Sequence, residues 1–160
     1  MRESAARGAA ACAVLAAVVA SAAACGGEAG HHYPEAFPGT RTDVSFARAF
    51  SDFGLVVPEP VTIVGYYADS ADDAYPMAAV FTTPCTAVPD FASRNALHEV
   101  ARADPDTADV EVFAGRHGWA DTGGPAPADT WYSRSEKAVH VLVHAAPGKD
   151  CTVYLHTTAG

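Results

Sequence analysis

Hydrophobic and polar residues alternate along the last part of the chain, and this period of two is typical of β-strands. Three segments show the alternation: Thr130 to Arg134, Val139 to Ala145 and Cys151 to Thr157. Turn residues separate them at Ser135-Glu136 and at Pro147-Gly148. The pattern therefore predicts an antiparallel meander of these strands.

The register of the last two strands follows from the need to bury one face. Val141 and Val143 alternate with polar residues on one strand, and Val153 and Leu155 do so on the next. A five-residue loop sets Val143 opposite Val153 and Val141 opposite Leu155. All four apolar side chains then share the buried face.

The same register places histidines on the opposite face, where His140 lies across from His156 and His144 lies further along. Opposed Cβ atoms are about 5 Å apart, near enough for two imidazoles to share a metal ion. A third ligand would have to come from His144 or from an acidic residue elsewhere. We expect no bound metal and no other cofactor here.

If helices cover only the valine face, the rings of His140 and His156 meet solvent, with pKa values near 6.5.

A helical period comes earlier in the chain. Its apolar residues are spaced i, i+4 and i+7: Phe46, Phe50 and Phe53. Thr42 or Asp43 is suited to cap the start of this helix, and Gly54 is suited to end it.

The middle of the chain predicts the remaining elements. Val61 to Tyr67 and Met77 to Thr83 are β-rich runs that favour a long hairpin. A second helix is expected from Pro89 to Val100, followed by a short strand from Val110 to Phe113. Together these elements predict an α+β domain over 41–160. Its antiparallel sheet has five or six strands, with two helices packed on one face.

The first 24 residues have the layout of a secretory signal peptide. Arg2 and Arg7 precede an unbroken run of small and apolar residues from Ala9 to Ala24. A helix over that run is about 24 Å long, shorter than a hydrocarbon core of about 30 Å. We therefore expect residues 1–24 to be removed on export.

The residues around Cys25 indicate how the leader ends. Ala22-Ala23-Ala24-Cys25-Gly26-Gly27 resembles the lipobox of bacterial lipoproteins, in which the cysteine becomes the acylated first residue. Together with the alanine-rich leader, this motif resembles those of small uncharacterised lipoproteins common in actinobacteria. The resemblance implies a lipid, such as palmitate, on Cys25, and a position on the outer face of the cytoplasmic membrane. The same alanines fit ordinary signal-peptidase cleavage, so plain secretion is the alternative.

Gly30, Pro34, Pro38 and Gly39 break any regular pattern after the lipobox. Residues 25–40 are therefore predicted to be a flexible tether between the lipid and the domain. His31 and His32 lie within this segment, where flexibility would make metal binding weak.

Cysteine parity predicts one disulfide. The chain has 4 cysteines, and Cys12 lies inside the leader. Lipidation of Cys25 leaves Cys85 and Cys151 as an even pair in an oxidising compartment. Two buried free thiols are the alternative.

The net charge of the chain excludes two classes of binding partner. The formal net charge is −9 at pH 7, with Lys+Arg 10 against Asp+Glu 19. Phosphate backbones and anionic lipid surfaces need clustered basic residues, so neither nucleic acid nor a polybasic membrane contact is expected. The acidic groups themselves are interpreted as solvated surface rather than calcium loops: Asp69, Asp72 and Asp73, then Asp104, Asp106, Asp109 and Glu111.

Catalytic motifs do not assemble in this sequence. Neither a Gly-x-Ser-x-Gly elbow nor a Ser-x-x-Lys pair occurs. Trp119, Trp131 and Tyr132 could line a sugar or peptide groove, although residues of this type more often belong to a core. We interpret the protein as a non-catalytic envelope module that binds a partner protein, a cell-wall polymer or a small ligand. A small envelope hydrolase and a metal-binding protein are the alternatives.

Overall fold

A six-stranded antiparallel sheet organises the protein, with strand order β1-β2-β6-β5-β4-β3. The computed structural model describes residues 33–68, 76–102, 104, 107–119, 126–145, 148 and 150–158. The strands are β1 (Thr62–Ala68), β2 (Met77–Pro84), β3 (His98–Val100), β4 (Thr130–Arg134), β5 (Val139–His144) and β6 (Asp150–Thr157). The predicted single-domain α+β class is confirmed.

The predicted meander and its register are both correct. Strands β4, β5 and β6 match their predicted bounds to within one residue. Val143 pairs with Val153, and His140 pairs with His156. The predicted hairpin is also present, because β1 pairs with β2. The hairpin tip, which contains Asp69, Asp72 and Asp73, lies outside the described residues.

Helix α1 (Phe46–Asp52) packs its aromatic face on the sheet as predicted. Its N-cap is Ser45, whose Oγ accepts a hydrogen bond from the backbone N–H of Arg48 at 3.2 Å. The predicted caps, Thr42 and Asp43, were therefore two or three residues too early. Gly54 ends the helix at φ +62°, a left-handed conformation that glycine adopts without strain.

Helix α2 spans Val88–Arg94 and ends before the predicted limit at Val100. Ala96 turns the chain at φ 51°, and the N–H of Leu97 donates to the carbonyl of Ala92 at 2.9 Å. This is a helix termination normally signalled by glycine, which the sequence lacks here. The chain then becomes β3, at one edge of the sheet.

Two cores lie on opposite sides of the sheet. The larger one is closed by α1 and α2 and contains edge-to-face aromatic contacts among Phe46, Phe50, Phe81 and Phe91. Rings packed in this way bury large apolar areas and fix their relative orientation. This core holds the predicted pair of helices on the predicted face of the sheet.

Helix α3 (Ala108–Arg116) covers the other face, where the sequence indicated no helix. The predicted strand from Val110 to Phe113 is therefore wrong. Val110 and Ala114, one helical turn apart, are completely buried against the sheet. They complete a second cluster with side chains from four strands and the turn after α3: Val80, Trp119, Trp131, Leu142 and Tyr154.

The segment 33–40 lies along the outer edge of β1. The N–H of Phe37 donates to the carbonyl of Tyr66 at 2.8 Å, and the N–H of Tyr66 donates to the carbonyl of Glu35 at 3.0 Å. These residues were predicted to belong to the flexible tether, but they are bonded to the sheet. Residues 1–32, including Cys25 and the pair His31-His32, lie outside the described residues.

Cys85 and Cys151 form a disulfide, with their Cα atoms 4.9 Å apart. This is the pair that parity predicted. Cys85 follows β2 directly and Cys151 lies in β6, so the bond joins the hairpin β1–β2 to the meander β3–β6.

Candidate functional site

The histidine face is covered rather than solvated. His140 is only 6% exposed, and its Nδ1 lies 3.4 Å from Oγ of Ser133 on the neighbouring strand. His156 is half-buried beneath α3, with its ring 6.1 Å from that of Phe113. The expectation that His140 and His156 meet solvent is wrong. It assumed that helices cover only the valine face of the sheet, but α3 covers the histidine face.

His144 belongs to a buried polar cluster with Asp129. Its Nδ1 donates to Oδ1 of Asp129 at 2.7 Å, and the two side chains are 4% and 0% exposed. Oδ2 of Asp129 accepts hydrogen bonds from Nε1 of Trp119 at 3.1 Å and from the N–H of Ala126 at 2.8 Å. A carboxylate with three donors is well satisfied, so this cluster fastens the segment before β4 to the sheet. Substrate has no access to it.

A groove opens beside His156, between α3, the segment containing Phe37 and the base of the β1–β2 hairpin. Its volume is about 650 Å³. The walls are mostly apolar, and the polar residues among those that line it are Tyr67, Asp109, Arg116, His117 and His156. Ligand pockets commonly combine an apolar lining of this size with a few polar groups.

Aromatic contacts shape one wall of the groove. The ring of His117 stacks on Phe37 with centroids 4.4 Å apart, and Phe113 lies 4.5 Å away from the same ring. Phe37 can occupy this position because residue 65 on β1 is glycine. A Cβ atom at Gly65 would collide with the Phe37 ring.

Burial controls the protonation of both groove histidines. Burial lowers the pKa of His156, and the charge of His140 lowers it further, while the Asp109 carboxylate acts in the opposite direction. The pKa of His117 is lowered by burial and then by the neighbouring Arg116. Both rings are therefore mainly neutral at pH 7. Nδ1 of His156 is buried and has no hydrogen-bond partner among the described residues.

One face of α3 supplies the groove with an acid, two apolar residues and a base. Asp109, Val112, Phe113 and Arg116 are spaced i, i+3, i+4 and i+7, which places them in a row along the helix. Val112 is 55% exposed. Within the described part of the chain, neither Asp109 nor Arg116 takes part in an ion pair.

The residues singled out from the sequence lie mostly outside this groove. Trp119 and Trp131 are buried in the second core, and Tyr132 packs against the first. His156 lines the groove, and so does Asp109, which the sequence placed in a solvated acidic group. For the groove residues on α3, the available sequence signal was the helical spacing over residues 109–116. The alternation Val110-Glu111-Val112 obscured this signal.

Metal ligands do not converge in the described part of the chain, where no three His, Cys, Asp or Glu side chains are placed to hold an ion. His140 and His156 form only a pair, and His144 bonds to Asp129 instead. The absence of a metal site remains a prediction for the whole protein.

Comparison with known proteins finds no family model, no curated protein and no solved structure that matches this chain. Among the described residues, no helix has the length and apolar character needed to cross a membrane. Inference about function therefore depends on the groove and on the sequence motifs.

Proposed function

We propose that this protein is an exported, lipid-anchored binding module that holds a small ligand in the groove beside α3. The observation that carries the proposal is the groove itself. It combines apolar walls with the charges of Asp109 and Arg116, neither of which has an ion-pair partner among the described residues.

Binding accounts for the groove better than covalent catalysis does. The described residues that line it include no serine, threonine, cysteine or lysine, and the carboxylate of Asp109 has no second carboxylate in the lining to form the pair that glycosidases use. The Asp129–His144 pair resembles part of a catalytic dyad, but its burial separates it from any ligand in the groove. A non-catalytic role is therefore favoured.

The proposed location is the outer face of the cytoplasmic membrane, with the lipid on Cys25. The lipobox supports this location, and so does the disulfide between Cys85 and Cys151, because such bonds persist in oxidising compartments. Secretion without a lipid is the alternative.

Binding in the groove can be tested with the uncharged fluorophore N-phenyl-1-naphthylamine. We expect its fluorescence to rise in the presence of the protein, and we expect the Val112→Glu substitution to weaken binding about fivefold to tenfold. The reason is that a carboxylate replaces part of the apolar wall. Fluorescence titration measures the dissociation constant.

Val64 provides the matched control, because it is also 55% exposed but lies on β1 away from the groove lining. Val64→Glu should leave the dissociation constant unchanged. Equal weakening by both substitutions, or no binding of the fluorophore by the unmodified protein, would contradict the proposed function.

Lipidation can be tested separately by expressing the full chain in an actinobacterial host fed with labelled palmitate. We expect label on the protein, and we expect Cys25→Ala to abolish it, because the acylated thioether needs this sulfur. Cys12→Ala should retain the label, since Cys12 lies within the removed leader. Membrane-bound, normally processed Cys25→Ala protein would refute the anchor while leaving the groove proposal intact.

A further inference from the structure

We infer that the ligand of the groove is a short zwitterionic peptide with a bulky apolar side chain, its amino group at Asp109 and its carboxylate at Arg116. This inference rests on the proposed function and specifies the chemistry of the ligand.

The two charged residues are separated by a distance that suits a short peptide. Asp109 and Arg116 lie seven residues apart on one face of α3, which corresponds to about 10 Å along the helix axis. Three residues of extended peptide span about 10 Å. A tripeptide therefore matches the rise between the two residues along the helix.

Both charged side chains are available to a ligand. Neither residue has an ion-pair partner in the described part of the chain, and both are exposed at the rim. The backbone dipole of α3 places partial charges of opposite sign at each end, but these amount to about half a charge. The full side-chain charges therefore decide which end attracts the ammonium group and which attracts the carboxylate.

The surface between the two charged residues is apolar. Val112 and Phe113 lie on α3 between Asp109 and Arg116, and Phe37 extends this apolar surface through its contact with His117. An apolar or aromatic side chain in the middle of the peptide fits this surface. His156 also lines the groove, with its ring 6.1 Å from that of Phe113.

Net charge adds selectivity. The chain carries a formal charge of −9, so ligands that bear only a carboxylate are repelled by the protein as a whole. A zwitterion has no net charge and avoids this repulsion. It can still engage both Asp109 and Arg116.

The test uses the tripeptide Ala-Phe-Ala with free termini, its N-acetylated form and its C-amidated form. Binding is followed by NMR, through the imidazole resonances of His117 and His156. We expect the free peptide to shift both rings and to bind about twofold to fivefold more tightly than either blocked form. Asp109→Asn should remove the preference over the acetylated peptide, and Arg116→Gln the preference over the amidated one.

Asp90 and Arg94 on α2 serve as matched controls, since they too occupy the first and last turns of a short helix. Asp90→Asn and Arg94→Gln should leave every preference unchanged. Equal affinity for free and blocked peptides would overturn the inference while leaving groove binding in place. Failure of all three peptides to shift His117 or His156, with the naphthylamine still bound, would also overturn the inference alone.

Discussion

Replacement of both Cys85 and Cys151 by alanine is expected to lower the free energy of unfolding by about 4 kcal/mol. The disulfide closes a loop with a sequence separation of 66 residues, so its removal enlarges the conformational freedom of the unfolded chain. A typical domain is stable by only about 5–15 kcal/mol, so this loss is a large share of the total. Urea denaturation monitored by tryptophan fluorescence measures the change.

Unmodified protein unfolded in the presence of a reductant is the control, because it keeps both sulfur atoms but lacks the cross-link. The reduced protein and the double alanine variant should have similar stability. If the oxidised protein is no more stable than the reduced one, the cross-link does not restrict the unfolded chain as expected.

Asp129→Ala is expected to lower the free energy of unfolding by about 3–5 kcal/mol. The substitution leaves the ring of His144, the indole N–H of Trp119 and the N–H of Ala126 without their common acceptor. Unsatisfied buried donors carry the cost of their desolvation. The release of the segment before β4 should also increase amide hydrogen exchange near Ala126.

Asp90→Ala is the control for this substitution, because its carboxylate is largely exposed and pairs only weakly with Arg94 at 3.6 Å. Its effect should stay below about 1 kcal/mol. A comparably small effect of Asp129→Ala would show that the buried cluster is not a fastening point.

The elements predicted well from sequence were those in which apolar and polar residues alternate between clear turns. Strands β4, β5 and β6 bury opposite faces in two different cores, yet their alternation and intervening turns still fixed the register. Helix α3 was missed because Val110-Glu111-Val112 alternates over a short distance. Its helical form depends on tertiary packing of Val110 and Ala114 against residues far away in sequence.

The groove could not be predicted from any local motif. Its lining comes from four separate parts of the chain: residues 37–38, Tyr67 with residues 76–78 of the hairpin, α3 with His117, and His156 on β6. His156 was identified because it lies on a regular strand. Its half-buried state depends on α3, which the sequence had assigned as a strand, so the expected pKa near 6.5 was also wrong.

The strand order has a consequence for the time course of folding. β2 and β6 are paired in the sheet although they are far apart in the sequence. The hairpin and the meander therefore cannot join until β6 has been synthesised. Contacts of such long sequence separation slow folding, because loop closure precedes the gain in stability. A chain that folds slowly stays unfolded longer after it leaves the ribosome, which is the state that a secretion channel accepts. If the protein is exported as proposed, the placement of β6 beside β2 favours translocation before the sheet closes.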